Sequence, residues 1–148
     1  PYDSIMQAEG YDVVPLFKTR TGHVTVTLQV NGKPCVFLVD TGGGATLIDI
    51  SKKDWYQLSP LAVRDYAASI GSATPLVRTT GMFSIDGTEF RNDSLFLMDI
   101  SYVNAGFKKT RSRQVDGVLG TDFLEKHKAI IDYSRSALYL KTDPDGKD

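Results

Sequence analysis

The sequence predicts an all-β domain, on three observations. Val24, Val26, Leu28 and Val30 alternate with Thr25, Thr27 and Gln29, the period of a strand with one buried face. Asn31-Gly32 and Asp86-Gly87 each stand between apolar runs and accept the positive φ values that a tight hairpin needs at both central positions. Most remaining apolar runs are short and end in glycine, proline or small polar residues.

With 148 residues, 41% hydrophobic and 24% charged, the chain can bury one core, so one domain is the default. Lys and Arg number 17 against 18 Asp and Glu, a formal net charge of −1, so no large field favours nucleic acid or an anionic membrane. Cys35 is the only cysteine, which excludes an internal disulfide. With only His23 and His127 beside it, a Cys/His zinc site is excluded too, and neither metal nor cofactor is expected. No apolar run approaches the roughly 20 residues that span a bilayer, so no membrane contact is expected within this chain. The compartment is left open, because a chain that begins at Pro1 is compatible with an export signal, periplasmic or secretory, removed before it.

Residues 1–12 mix polar and apolar types without period and read as an N-terminal arm; residues 13–141 form the domain, and 142–148 a polar tail. The first hairpin climbs through 24–30, turns at Asn31-Gly32 and returns through 35–39. A strand follows near 47–50, then a short helix from Ser51 to Leu58, started by Ser51 with Asp54 three residues on and stopped by Ser59-Pro60. Trp55 on that helix reads as a packing residue. The small, polar segment 66–80, with Ile70 before Gly71, suits either the mobile tip of a hairpin or a plain surface loop. A second hairpin turns at Asp86-Gly87, and 94–98 is the next strand. Lys108, Lys109, Arg111 and Arg113 lie in a segment, 102–114, read as a solvated loop because no aromatic interleaves. Residues 115–120 form a strand hemmed by glycines, Thr121 caps a helix over 122–127 with His127 as a capping or surface residue at its end, and 129–140 makes a last hairpin.

The chain is organised around residues 37–48. An apolar run delivers Asp40 to its end, Gly42, Gly43 and Gly44 let the backbone turn sharply, and Leu47-Ile48 leads away. Val39-Asp40-Thr41-Gly42 with this flank, and the distant Gly117-Val118-Leu119-Gly120 before a short helix and Ile131-Asp132-Tyr133, resemble the retropepsin-like aspartic peptidases, closest to the bacterial single-domain members. The resemblance runs over roughly residues 13–140. It implies a closed β-barrel with one or two short helices and a flap hairpin over the cleft. It implies Asp40, Thr41 and Gly42 as the catalytic tripeptide, with Thr41 bracing two such loops at a dimer axis. Gly43, Gly44 and the flap residues Ile70, Gly71 and Ser72 would line the substrate, and Val118, Leu119 and Gly120 would support the Asp40 loop from beneath. Gly43 and Gly44 stand where the family usually has Ala or Ser and often a polar residue, which makes the loop looser.

Hydrolysis by this route needs two carboxylates sharing one proton, one activating a water and the other hydrogen-bonded to the scissile carbonyl. The chain has one Asp-Thr-Gly; Asp86-Gly87-Thr88, Asp116-Gly117-Val118 and Asp145-Gly146-Lys147 invert or break the order. The second carboxylate is therefore expected from a symmetry mate, in a homodimer acting as an aspartic endopeptidase on polypeptides. The alternatives are a non-catalytic dimerisation or peptide-binding domain, or one lobe of a longer protein.

Overall fold

A computed structural model of the chain describes residues 1–61, 64–67 and 74–142. Its centre is a closed barrel of six strands: β3 (Val24–Val30), β4 (Lys33–Val39), β9 (Gly117–Leu119), β5 (Thr46–Asp49), β8 (Thr88–Met98) and β7 (Thr74–Ile85), with β7 pairing back to β3. Two short strands, β2 (Phe17–Lys18) and β6 (Arg64–Ala67), extend the sheet at its ends. A separate three-stranded sheet has the order β1 (Tyr11–Pro15), β11 (Ala137–Lys141), β10 (Ile130–Asp132). Both expected tight turns are present, with Asn31 at φ 48° and Gly32 at 83°, Asp86 at 48° and Gly87 at 85°.

The continuous apolar run 36–39 is explained by burial on both faces of β4. Phe37 and Val39 point into the barrel with Val26, Leu28, Val30, Phe83, Leu97 and Leu119. Val36 and Leu38 face outward into a second cluster with Phe96, Ile100, Phe107 and Val118. A strand buried on both sides cannot alternate, which is why 24–30 shows period 2 and 36–39 does not.

That second cluster is covered by α2 (Ser101–Lys109), where a loop was expected. Only Val103 and Phe107, four apart, mark its inner face, too little for a periodic signal. The helix is fastened by polar contacts instead: Ser101 N–H donates to Asp99 Oδ1 (2.9 Å), and the Asn104 amide both donates to the Val115 carbonyl and accepts from its N–H. Lys108 and Lys109 occupy its last turn, where the helix dipole favours cations.

Residues 2–8, expected as unpatterned arm, form α1 (Tyr2–Ala8). It docks on the small sheet through buried Met6, a Tyr2–Tyr139 edge contact and the Tyr139 hydroxyl on Asp3. The expected helix over 51–58 is only a 3₁₀ turn, Ile50–Lys52, because Asp49 rather than Ser51 caps it and the chain passes into turns. Trp55 is not packed inside: it is 61% exposed, with the Lys33 ammonium 4.5 Å over its ring. Residues 88–98 form one long strand, and β6 pairs antiparallel with residues 74–77, Ala67 opposite Thr74, so the described parts of segment 66–80 are strand and not surface loop. No helix among the described residues is long and apolar enough to cross a membrane.

Candidate active site

Asp40 sits one residue beyond β4. Its N–H donates to the Leu119 carbonyl (3.0 Å), so the parallel β4–β9 ladder, with Val39 opposite Leu119, reaches the acid itself. The carboxylate is half-buried, and Oδ1 accepts the Gly42 N–H at 3.0 Å. Thr41, Gly42 and Gly44 are exposed around it. At Gly43 a Cβ would stand 2.7 Å from Asp40 Oδ2, so a side chain there would make the carboxylate shift from the position it holds. At Gly44 a Cβ would meet nothing within 4 Å.

The loop is held from beneath by residues 117–122. Gly120 accepts no side chain, because a Cβ there would lie 2.4 Å from the Ala45 carbonyl oxygen; at Gly117 it would lie 2.4 Å from that of Leu47. The N–H and hydroxyl of Thr121 both donate to the Gly43 carbonyl, at 2.8 and 3.1 Å. Thr121 therefore grips the Asp40 loop; the residue at the N-cap of α3 (Thr121–Lys126) is Gly120. Val118 and Leu119 contribute strand pairing and buried side chains.

Sequence reading missed the polar clasp between these two segments. Thr46, fully buried, donates its hydroxyl to Asp122 Oδ1 (2.7 Å) and accepts the Gly120 N–H (3.1 Å), while Ser94 Oγ donates to Asp122 Oδ2 (3.3 Å). A threonine and an aspartate 76 residues apart carry no local signal of pairing. Asp116 was also missed: it accepts the Val36 N–H and pairs with Lys52, fixing the middle of β4 against the start of β9. His127, expected as a capping or surface residue, is the C-cap of α3 but is buried, its ring against Phe90 and Phe123 and its Nδ1–H donating to the Lys141 carbonyl at 2.7 Å.

Leu38, on the outer face of β4, lines a pocket of about 390 Å³ with His23, Tyr102, Val103 and Phe107; Asp40 is not among its lining residues. Ile70, Gly71 and Ser72, the expected flap tip, lie outside the described residues.

Comparison with known proteins identifies the family and the fold. A family model described as aspartyl protease matches residues 26–123, from β3 into α3. A retropepsin-like aspartic protease from Rickettsia conorii superimposes with a TM-score of 0.59 at 21% identity, covering 88% of this chain and 89% of that one. The retroviral protease-like domain of Ddi1 from Leishmania major gives 0.54 at 14% identity, covering 78% and 86%. No curated protein matches the chain. The family match spans both the Asp40 loop and the segment that clasps it: this chain belongs to the aspartyl protease family and has the retropepsin-like fold.

Proposed function

We propose that the chain is an aspartic endopeptidase whose active site assembles from Asp40 of two copies. The observation that supports this most directly is that Asp40 is the acid left available. One of its oxygens takes the Gly42 N–H, and the other has no hydrogen-bond partner among the described residues. The other candidate carboxylates have different duties. Asp116 is bound to Val36 and Lys52, Asp132 to Ser134 and Arg135, and Asp86 forms the turn of the β7–β8 hairpin. A two-fold axis beside exposed Thr41 would bring two Asp40 loops together.

Two carboxylates close enough to share a proton cannot both ionise readily, so the dyad holds one shared proton and titrates as a unit. The charged member accepts a proton from water as the water attacks the peptide carbonyl. The protonated member donates to the carbonyl oxygen, and a proton is then delivered to the departing amine. The pocket lined by Leu38, Val103 and Phe107 is apolar enough to take a hydrophobic side chain of the polypeptide.

The test mixes equal amounts of wild-type and Asp40→Asn chains and exchanges them to equilibrium. With no pairing preference, about a quarter of dimers hold two wild-type chains, so activity falls to about a quarter of that of the same amount of wild-type chain. A value near half means that each chain acts alone and refutes the shared dyad. A folded wild-type chain that cleaves no denatured polypeptide returns the reading to a non-catalytic dimerisation or peptide-binding domain.

A further inference from the structure

The chain is nearly neutral, yet its cations are not evenly spread. Lys18, Arg20, Arg111 and Arg113 all line one pocket of about 270 Å³, to which no acid contributes. None of the four is in an ion pair among the described residues. They come from two separate segments, β2 with the turn after it and the turn leaving α2. Each segment is fixed: Thr19 N–H donates to the His23 carbonyl (2.7 Å), and Ser112 N–H to the Phe107 carbonyl (2.8 Å). The His23 ring meets Phe107 edge-on with centroids 5.5 Å apart, locking the two segments together.

Gathering like charges on a braced surface costs free energy through mutual repulsion, and an anionic ligand offsets that cost. A lysine on an edge strand is an ordinary guard against strand pairing, which accounts for Lys18 but not for the three arginines. Two more features favour an extended chain over a free ion. β2 is the terminal strand of the eight-stranded sheet, and Phe17 beside the cations is 54% exposed. Backbone edge, apolar contact and arginines together suit a peptide strand with acidic side chains. The same two segments also supply His23 and Thr110 to the apolar pocket lined by Leu38.

We propose that this pocket binds carboxylate side chains of an acidic, extended polypeptide segment, and so selects substrates with acidic residues outside the scissile pair. From the proposed function it takes only that the ligand is a polypeptide. The test measures fluorescence anisotropy of a labelled glutamate-rich peptide and its glutamine counterpart on the intact chain, with mass spectrometry confirming that the peptide is uncleaved. The glutamate peptide should bind about tenfold tighter at low salt, from a few partly exposed charge contacts, and lose that advantage in strong salt. Arg20→Gln with Arg111→Gln should bring the ratio close to one, and Lys18→Gln with Arg113→Gln should reduce it, with melting temperatures unchanged. Equal binding of the two peptides by wild-type protein overturns the proposal, as does a preference that survives both double variants. Inorganic phosphate binding without any peptide preference would instead make this a free-anion site, and tighter binding of a single-stranded oligonucleotide than of the glutamate peptide would refute a polypeptide ligand. Because binding is read without turnover, its outcome does not depend on whether the Asp40 dyad is active.

Discussion

Replacing Gly120 by alanine tests whether the Asp40 loop is positioned by contact with the segment beneath it. The added Cβ would lie 2.4 Å from the Ala45 carbonyl oxygen, 2.6 Å from its carbon and 2.9 Å from its nitrogen, where ordinary contact begins at 3.4 Å. All three are backbone atoms, so no side chain can swing away, and the segments must part by about 1 Å. Overpacking of this kind costs about 1–3 kcal/mol, and stretching the Thr121–Gly43 and Thr46–Gly120 hydrogen bonds adds about 1 kcal/mol. A loss of about 2–4 kcal/mol lowers the melting temperature of a domain this size by roughly 5–15 °C. A displacement of about 1 Å at a catalytic group costs on the order of 10²-fold in rate, so kcat should fall further than the folded fraction explains. Gly44→Ala is the control, since a Cβ there meets nothing within 4 Å and the backbone is not left-handed; its stability should stay within about 1 kcal/mol of wild type. The assay is thermal denaturation beside hydrolysis of a fluorogenic peptide at a temperature where all variants are folded. If Gly120→Ala melts within about 2 °C of Gly44→Ala, the contact does not hold the loop and the reasoning is wrong.

Two further outcomes follow from groups beneath the site. Thr46→Val keeps the shape but leaves the buried Gly120 N–H without its acceptor, so urea denaturation should show a loss of about 1–3 kcal/mol with an unchanged m-value. A loss under about 0.5 kcal/mol would mean that the clasp is not a stabilising bond. Burial holds the pKa of His127 below its usual value; the Lys141 carbonyl opposes this, and Lys126 adds to it. The unfolded chain therefore takes up a proton before the folded one does. His127 costs no stability above about pH 6.5, and stability falls as pH drops below that towards the lower folded-state pKa. His127→Gln should flatten this part of the pH–stability curve between pH 7 and 5; a curve of unchanged slope would assign the dependence to other groups.

The sequence by itself determined the strands and turns whose rules are local. Asn31-Gly32 and Asp86-Gly87 accept positive φ without help from the rest of the chain, and the alternation over 24–30 follows from one wet and one dry face. It also determined that a single carboxylate stands between an apolar run and three glycines. Tertiary structure decided whatever depended on a distant partner. α2 exists because the outer face of β4 needs a cover and Asn104 finds the Val115 backbone, so it left almost no periodic trace. Trp55 and His127 exchanged their expected environments, since burial is settled by what packs nearby and not by residue type. Gly43, Gly117 and Gly120 look like flexible residues in the chain, but in the fold they are the places where a Cβ would strike the Asp40 carboxylate or the backbone around its loop. Close approach is a property of two segments at once, and no single stretch of sequence records it.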